Sequence, residues 1–217
     1  MNEQQAREEI CRVGKSLFDR GYVHATAGNI SVRLDEGFLI TPTDACLGFL
    51  TPDVLAKVDA TGKQASGAPA SKTLALHRRI YAAHDAALAP RCVIHTHSTH
   101  CVALTLHDVQ GELLPPITPY FVMKVGHVPI VPYHRPGAPE VGEVVADLIA
   151  RYAARGTPLR AVMLARLGPN VWHDSPGQAM AVLEELEETA KLWGLRQGEP
   201  LSAEALAQLE KAFGCRW

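Results

Sequence analysis

The sequence predicts an α/β fold in a single domain that spans residues 1–217. Helical and strand-like patterns alternate along the chain instead of falling into separate blocks, which is typical of α/β proteins. With 217 residues, 47% of them apolar and 20% charged, the chain has a globular composition and the length to bury one substantial core. No internal repeat or low-complexity stretch divides it. One α/β domain that ends in a helix over about 202–213 is therefore the expected architecture.

The first part of the chain predicts a helix followed by a hairpin. Apolar residues recur at helical spacing over residues 3–20, and Gly21 ends that helix. Residues 28–34 alternate as a strand, and a turn at 35–37 leads into a second strand at 38–41. Thr51-Pro52-Asp53 then has the cap, first-turn proline and acidic residue that open a short helix.

In the middle of the chain, Ser71 is expected to cap a helix that runs to about Ala87. Residues 92–97 predict a short buried strand, and a helix over about 98–106 follows. Residues 112–139 contain seven prolines, which exclude a long helix because proline lacks the backbone N–H and clashes with the preceding turn. Within that stretch residues 128–131 predict at most an edge strand.

The last third predicts two strands between helices. Residues 140–155 are expected to form a helix, 161–164 and 170–172 two strands joined by a Leu-Gly-Pro turn, and 175–195 a long helix that begins with a serine cap. Residues 202–213 form the last amphipathic helix.

Charge and cysteine content exclude several classes of protein. Lys and Arg number 21 against 23 Asp and Glu, so no basic excess favours nucleic-acid binding. The five cysteines are odd in number and form no Cys-x-x-Cys pair, which favours reduced thiols over a disulfide framework. The polar start lacks the pattern of a signal peptide, and no apolar run is long enough to cross a bilayer. We therefore expect a cytoplasmic protein with neither a nucleic-acid nor a membrane partner.

His95 and His97 are the sharpest chemical feature, because they follow each other at positions i and i+2 of the strand at 92–97. Such side chains project from the same face, with Cα atoms about 6.5–7 Å apart. Two imidazoles at that spacing can both reach one metal ion at about 2.0–2.1 Å. The alternative is two polar side chains that are hydrogen-bonded or solvated at a strand end.

Two other segments have the chemistry of an anion site. Hydroxyl and amide groups flank exposed backbone at Thr26, Asn29 and Thr43, a combination that suits a phosphate or carboxylate. Ser71 and Lys72 place a hydroxyl and an ammonium group at a predicted helix start, which also favours an anion. The alternatives are ordinary turn residues for the first group, and a helix cap with a solvated lysine for the second.

Taken in order, these segments resemble the class II aldolase/adducin family. The resemblance is carried by Gly28-Asn29-Ile30-Ser31, Thr41-Pro42-Thr43, Ser71-Lys72-Thr73 with His77, His95-Thr96-His97, Tyr120 with the loop 132–137, and Glu184–Ala190. It extends from about residue 5 to 200. Within the family the chain is most similar to the 3-oxo-tetronate 4-phosphate decarboxylases, and less so to the sugar-phosphate aldolases.

The resemblance implies a three-layer fold with a central, mostly antiparallel sheet between helices, and a homotetramer with active sites at subunit contacts. It implies a metal-dependent lyase that converts a sugar-acid phosphate to dihydroxyacetone phosphate and CO2 through a metal-stabilised enediolate. His95 and His97 would bind a divalent metal, zinc being the expected ion. Thr26, Asn29, Thr43 and Ser71 would bind the substrate, and Lys72, Thr73 and Tyr120 would occupy the catalytic positions.

Three positions depart from the family pattern. Thr73 stands where the family has a proton-transferring glutamate, Leu167 where it has a third metal-binding histidine, and Asp44 where it has a glycine. Four other histidines are candidates for the third ligand: His24, His127, His134 and His173. The alternatives to the decarboxylase are therefore a member acting on another, non-phosphorylated substrate, and a non-catalytic adducin-like oligomeric module.

Overall fold

A computed structural model describes residues 1–85, 89–107, 110–195 and 198–217. In these ranges one eight-stranded sheet lies between two helical layers, which confirms the predicted α/β architecture. The helices are α1 Glu3–Asp19, α2 Leu74–Ala82, α3 Thr99–Leu104, α4 Pro119–Lys124, α5 Glu140–Ala154, α6 Pro176–Gly194 and α7 Ala203–Phe213. The strands are β1 Asn29–Leu34, β2 Gly37–Ile40, β3 Ala56–Val58, β4 Gln64–Ser66, β5 Cys92–His95, β6 Ile130–Val131, β7 Ala161–Leu164 and β8 Gly168–His173.

The sheet has the order β4-β3-β2-β1-β5-β8-β7-β6. Its neighbouring strands are antiparallel except for β6 and β7, which are parallel, so the expectation of a mostly antiparallel sheet is confirmed. The segment expected to form at most an edge strand is β6, at one edge of the sheet. The three central strands are β1, β5 and β8. His95 is the last residue of β5 and His97 lies beyond it, so the strand predicted over 92–97 ends two residues earlier than expected.

Alternate residues of the central strands face opposite layers. Ile30 and Ile94 pack into the core that α1 and α6 cover. Val93 and Trp172 point the other way, into the core beneath α2 and α5. The central strands β1, β5 and β8 bury residues on both faces, which explains why short apolar runs rather than strict alternation mark several strands.

The helix expected from Ser71 begins later, at Leu74, so that expectation was wrong at its start. Thr73 is the cap residue, and Leu74 N donates to Ser71 O at 3.1 Å in the turn before it. The backbone N–H of Ser71 donates to Thr41 O at 3.2 Å, which ties this residue to the neighbouring loop instead of to a helix. The expected end at Ala87 lies outside the described residues, while α2 itself ends at Ala82.

The sequence pattern did not predict β3, β4 or α4. The two strands are three residues each, too short for a period of two to stand out. A turn over residues 59–62 connects them, and the helix predicted at Thr51 is a single 3-10 turn over Pro52–Val54. Helix α4 has only six residues and fits inside the proline-rich segment because Pro119 occupies its first position.

None of the helices in the described ranges is long and apolar enough to cross a membrane.

Candidate functional site

A cleft of about 1090 Å³ opens on the α2–α5 side of the sheet, at the end of β5. Its wall contains eight of the nine predicted site residues: Thr26, Asn29, Thr43, Ser71, Lys72, Thr73, His95 and His97. Segments far apart in the chain supply them, and the sheet brings those segments together. The metal-type and anion-type features of the sequence therefore belong to one cavity.

Strand register places three polar residues side by side at this end of β5, and two of them, Asn29 and His95, line the cleft. Asn29 of β1 pairs with His95 of β5, and His95 pairs with Asn170 of β8. Directly paired residues project to the same face of a sheet, so all three point toward the α2–α5 layer. Asn170 was not singled out from the sequence. Strands β5 and β8 are far apart in the chain, so a single sequence does not show that Asn170 pairs with His95.

His95 is buried, with 8% of its surface exposed, and one ring nitrogen is fixed. Its Nδ1 donates to the carbonyl oxygen of Pro169 at 3.0 Å, which leaves Nε2 with the lone pair. Burial, reinforced by the neighbouring His97, lowers the pKa of His95 to about 4. The side chain is therefore neutral near pH 7 and ready to act as a metal ligand or hydrogen-bond acceptor.

His97 lies beside His95 at the more exposed rim. The two ring centres are 5.2 Å apart, with ring planes at 66°. A third imidazole, that of His24, is 6.5 Å from His97, centre to centre. Burial and then the proximity of His24 lower the pKa of His97. The rings of His95, His97 and His24 are thus neighbours in that order; the first two line the cleft, and the third lies next to His97.

His77 lies fully buried in α2 and belongs to a structural network. Its Nδ1 lies 2.8 Å from Ser31 Oγ, which in turn lies 2.7 Å from the hydroxyl of Tyr81. Burial and then the nearby His95 lower the pKa of His77 to about 3. Its Nε2 has no hydrogen-bond partner among the described residues. The neutral ring therefore connects α2 to β1 behind the histidine pair.

Two loops bring the hydroxyl groups to the opposite end of the cleft. Thr43 N donates to Pro69 O at 2.9 Å, so the loops that follow β2 and β4 run side by side. Gly28 has a φ of 85°, and a Cβ at this position would lie 2.8 Å from the carbonyl oxygen of His95. Glycine therefore lets the Thr26–Asn29 segment approach β5. Asp44 also lines the cleft, with a left-handed φ of 54°.

The cleft wall is rich in cations that the sequence motifs largely failed to predict. Besides Lys72 it includes Arg33, Arg78, Arg79 and Arg135, of which Arg79 is paired with Glu143. Arg33 follows Asn29 and Ser31 at alternate positions of β1, so the strand period is a signal that could have found it. The sequence alone does not show whether Arg135, Arg166 or Lys124 faces the cleft, and the structure places Arg135 there. Arg166 lines a separate cavity of about 460 Å³, and Lys124 lines neither.

Tyr120 is the one predicted site residue that the structure does not bring to the cleft. It lies in α4, whose Phe121 and Val125 pack into the core on the other face of the sheet. The Tyr120 side chain is 63% exposed. Within one chain it therefore cannot touch a molecule bound beside His95.

Two side chains of the cleft, those of His95 and His97, are suited to bind a metal ion. In the parts of the chain that the structure describes, no three His, Cys, Asp or Glu side chains converge as a metal site would require. Thr73 and Leu167, at the family's glutamate and third-histidine positions, both line the cleft. His95 and His97 fit a divalent cation by ligand type, by the closeness of their rings and by the free Nε2 of His95. They supply two ligands where a catalytic zinc ordinarily has three.

Three of the four alternative histidines lie elsewhere. His127 stacks on Trp217 and contacts Glu112 at 3.2 Å. His134 lies 3.5 Å from Glu140. His173 pairs with Cys92, at the opposite end of β5 from His95. His24 alone among the four has a ring near the pair.

Comparison with known proteins gives a match over most of the chain. Residues 8–193 match the family model for the class II aldolase and adducin N-terminal domain. A 3-oxo-tetronate 4-phosphate decarboxylase from Cupriavidus necator is 53% identical over 224 aligned residues, which cover 99% of each chain. A protein of the same name from Escherichia coli K12 is 41% identical, with 95% of this chain and 96% of that one covered.

Solved structures agree with this assignment. YgbL from Klebsiella pneumoniae superposes with a TM-score of 0.86 at 40% identity, covering 96% of this chain and 99% of that one. L-fuculose-1-phosphate aldolase from Thermus thermophilus gives a TM-score of 0.73 at 27% identity, with 91% and 99% covered. The three-layer architecture is thus shared with proteins of both names.

Proposed function

Since this chain belongs to the class II aldolase and adducin family, we propose that it is a carbon–carbon lyase that decarboxylates a 3-oxo sugar-acid phosphate. Relatives at 53% and 41% identity over nearly the whole chain are named 3-oxo-tetronate 4-phosphate decarboxylase. The observation that carries the proposal is the single cleft in which the His95–His97 pair and the hydroxyl-rich loops meet. Such a cleft can hold the reacting carbons at one end and the phosphate at the other.

The reaction needs an electron sink and then a proton. The bond between the carboxylate carbon and C2 breaks, CO2 leaves, and the electron pair delocalises onto the oxygen at C3. Protonation of C2 then gives dihydroxyacetone phosphate. An aldol cleavage needs a base to remove a hydroxyl proton, but decarboxylation does not, so it tolerates Thr73 in place of a glutamate better.

The phosphate belongs at the loop end of the cleft. Thr26, Thr43 and Ser71 offer hydroxyl donors there, Lys72 offers an ammonium group, and Asn29 offers an amide beside His95. Charge-assisted hydrogen bonds to such donors are stronger than neutral ones, so they would fix the substrate by its phosphate. Binding there orients the carboxylate end toward the histidine pair.

His95 and His97 would hold the divalent metal that this family typically requires, and zinc is the ion that their imidazole ligands favour. When bound, such a cation supplies Lewis-acid stabilisation of negative charge on a substrate oxygen. The hydrogen bond from His95 Nδ1 to Pro169 O fixes the ring orientation and directs Nε2 into the site. Thr73 offers a hydroxyl but no negative charge at this position.

A proton donor for C2 is available on Lys72 or Tyr120. Lys72 lies in the same cleft, whereas Tyr120 is exposed on the other side of the sheet. We therefore assign Tyr120 to the cleft of a neighbouring copy, which requires the homotetramer that the family resemblance implies. The whole chain, residues 1–217, would act as one domain of this assembly. The five unpaired cysteines favour the cytoplasm as its compartment.

Asp44 favours a second candidate, a lyase that acts on a non-phosphorylated sugar acid. Its carboxylate lines the cleft near Thr43, where a phosphate dianion would sit. A carboxylate and a phosphate dianion that lie side by side repel each other unless a cation such as Lys72 lies between them. This candidate keeps the bond cleavage and changes only the group recognised at the loop end.

Release of CO2 from the zinc-loaded protein tests both candidates. We expect turnover of 3-oxo-tetronate 4-phosphate with formation of dihydroxyacetone phosphate, and its loss in His95→Ala. His173→Ala, at the far end of β5, is the matched control and should retain the wild-type rate. Turnover of the non-phosphorylated acid alone would select the second candidate. No CO2 from either substrate, or an unchanged rate in His95→Ala, would refute the proposed chemistry.

A further inference from the structure

The site lacks a third protein ligand at the position where the family has one, because that position is Leu167. Its aliphatic side chain lines the cleft and cannot bind a metal. We infer that His24 supplies the missing ligand, so that this chain binds its divalent cation through His24, His95 and His97. This inference rests on the proposed function only in taking the cation to be that of the family.

The spacing of His95 and His97 already suits one metal ion. A zinc–nitrogen bond of about 2.0–2.1 Å places an imidazole centre about 3.2 Å from the metal, so two rings at a tetrahedral angle lie about 5.2 Å apart. The two ring centres are 5.2 Å apart in this structure. The pair is therefore arranged before any metal binds, and little reorganisation opposes binding.

His24 is near enough to complete the site by a side-chain rotation. Its ring centre lies 6.5 Å from that of His97. The approach required is about 1.3 Å, the difference between 6.5 Å and the spacing of 5.2 Å that the other pair shows. Because the His24 side chain is exposed, rotation about its two torsions disturbs no packed core.

The backbone of His24 is held in place for this role. Ala27 N donates to His24 O at 2.9 Å, which closes a turn just before β1. Ala25, within that turn, has a left-handed φ of 46°. The turn leads directly to Asn29, whose register with His95 fixes the loop relative to the histidine pair. Only the side chain has to move when a cation arrives.

Three other side chains, those of His134, His77 and Thr73, are less suited to this role. His134 is engaged with Glu140, and His77 is buried in α2 with its Nδ1 on Ser31. Thr73 has a neutral hydroxyl, a weak ligand for zinc beside three imidazoles. A site of three histidines with an open fourth position is an arrangement in which catalytic zinc holds a water or substrate oxygen.

Zinc binding in the absence of substrate tests the inference. The chelator-treated protein is titrated with Zn²⁺ against a chromophoric competitor, and His24→Ala is compared with His134→Ala and His173→Ala. We expect one zinc per chain in the wild type. His24→Ala should weaken binding at least about tenfold, since even loss of an outer-sphere partner costs that much. The two other variants should bind like the wild type.

Two spectroscopic readouts identify the ligand directly. The side-chain nitrogen resonances of His24 should shift on zinc addition in NMR spectra, together with those of His95 and His97. Cobalt(II) in the same site should give the intense visible bands of four-coordination, which should fade in His24→Ala. Wild-type zinc affinity in His24→Ala, loss of affinity in His134→Ala instead, or no zinc binding by the wild type would overturn the inference. Loss of CO2 release with zinc binding intact would instead count against the proposed function.

Discussion

Asn170 lies directly opposite His95 in the sheet, and neither polar atom of its amide has a hydrogen-bond partner among the described residues. The residue is fully buried, so water does not replace those bonds at the surface. A buried polar atom left without a partner costs about 1–3 kcal/mol. The amide beside His95 therefore either destabilises the fold by this amount or is paired with an ordered water or another partner in solution.

Replacing this amide tests which of the two holds. Asn170→Val should raise the free energy of unfolding of the ligand-free protein by about 1–3 kcal/mol, because it removes the unpaired groups and matches Val162 beside it. Urea denaturation measures the change. A lower stability in Asn170→Val would mean that an ordered water or other partner satisfies the amide in solution.

Whether the sequence predicts a residue of this site depends on how far along the chain that residue lies from the others. His95 and His97 are close in sequence, so their spacing alone indicates that they lie together. The same holds for Ser71 with Lys72. Arg135 reaches the cleft only through the return of a long loop, and Asn170 reaches its place beside His95 only through the pairing of strands. Those placements depend on tertiary register, which one sequence does not encode in any local pattern.

Because local patterns do not encode tertiary contacts, some elements of the fold were also predicted wrongly. The long helices α1, α5 and α6 were predicted to within a few residues because many turns repeat one apolar period. The start of α2 was misplaced because Ser71 resembles a cap, although its backbone N–H is taken by Thr41 of another loop. Tyr120 was placed at the site by resemblance; the packing of α4 puts it away from the cleft of its own chain, and its role in the cleft of a neighbouring copy stays a prediction.

Gly28 should tolerate no side chain. Its φ of 85° strains any other residue, and an added Cβ would lie 2.8 Å from the carbonyl oxygen of His95. Gly28→Ala should therefore lower the free energy of unfolding by at least about 1–2 kcal/mol. Gly177→Ala is the matched control, because its Cβ would approach Arg12 no closer than 3.6 Å within a helix. Thermal denaturation that ranks the two variants alike would refute this account.

Arg166 adopts a left-handed conformation, with a φ of 64°, which arginine rarely occupies. Asparagine is tolerated there far better, so Arg166→Asn should stabilise the fold by about 1 kcal/mol. The loss of the bond from Arg166 Nη2 to Leu106 O offsets a part of this gain. Arg155→Asn, at a residue with a φ of −85°, should show no such gain in the same guanidinium chloride titration. Equal changes in the free energy of unfolding of the two variants would show that backbone strain at Arg166 is not the cause.

Acidification should destabilise the metal-free fold in a defined window. Burial lowers the pKa of His77 to about 3 and that of His95 to about 4, whereas both titrate near about 6.5 in an unfolded chain. Between these values the unfolded state binds more protons, so the free energy of unfolding falls as the pH falls below about 6.5. His77→Gln should flatten this dependence. A stability that stays constant from about pH 7.5 to about pH 4.5 would contradict it.

Restoring the two family residues should strengthen metal binding, because Thr73 and Leu167 both line the cleft that holds His95 and His97. Leu167→His with Thr73→Glu adds an imidazole and a carboxylate, and zinc affinity should rise by at least about tenfold. If His24 is the present third ligand, His24→Ala should weaken binding in the wild type but have little effect in the restored variant. Competition titration with a zinc chelator measures all four combinations. An affinity that the restoration leaves unchanged would mean that the cleft no longer brings those two positions to the metal.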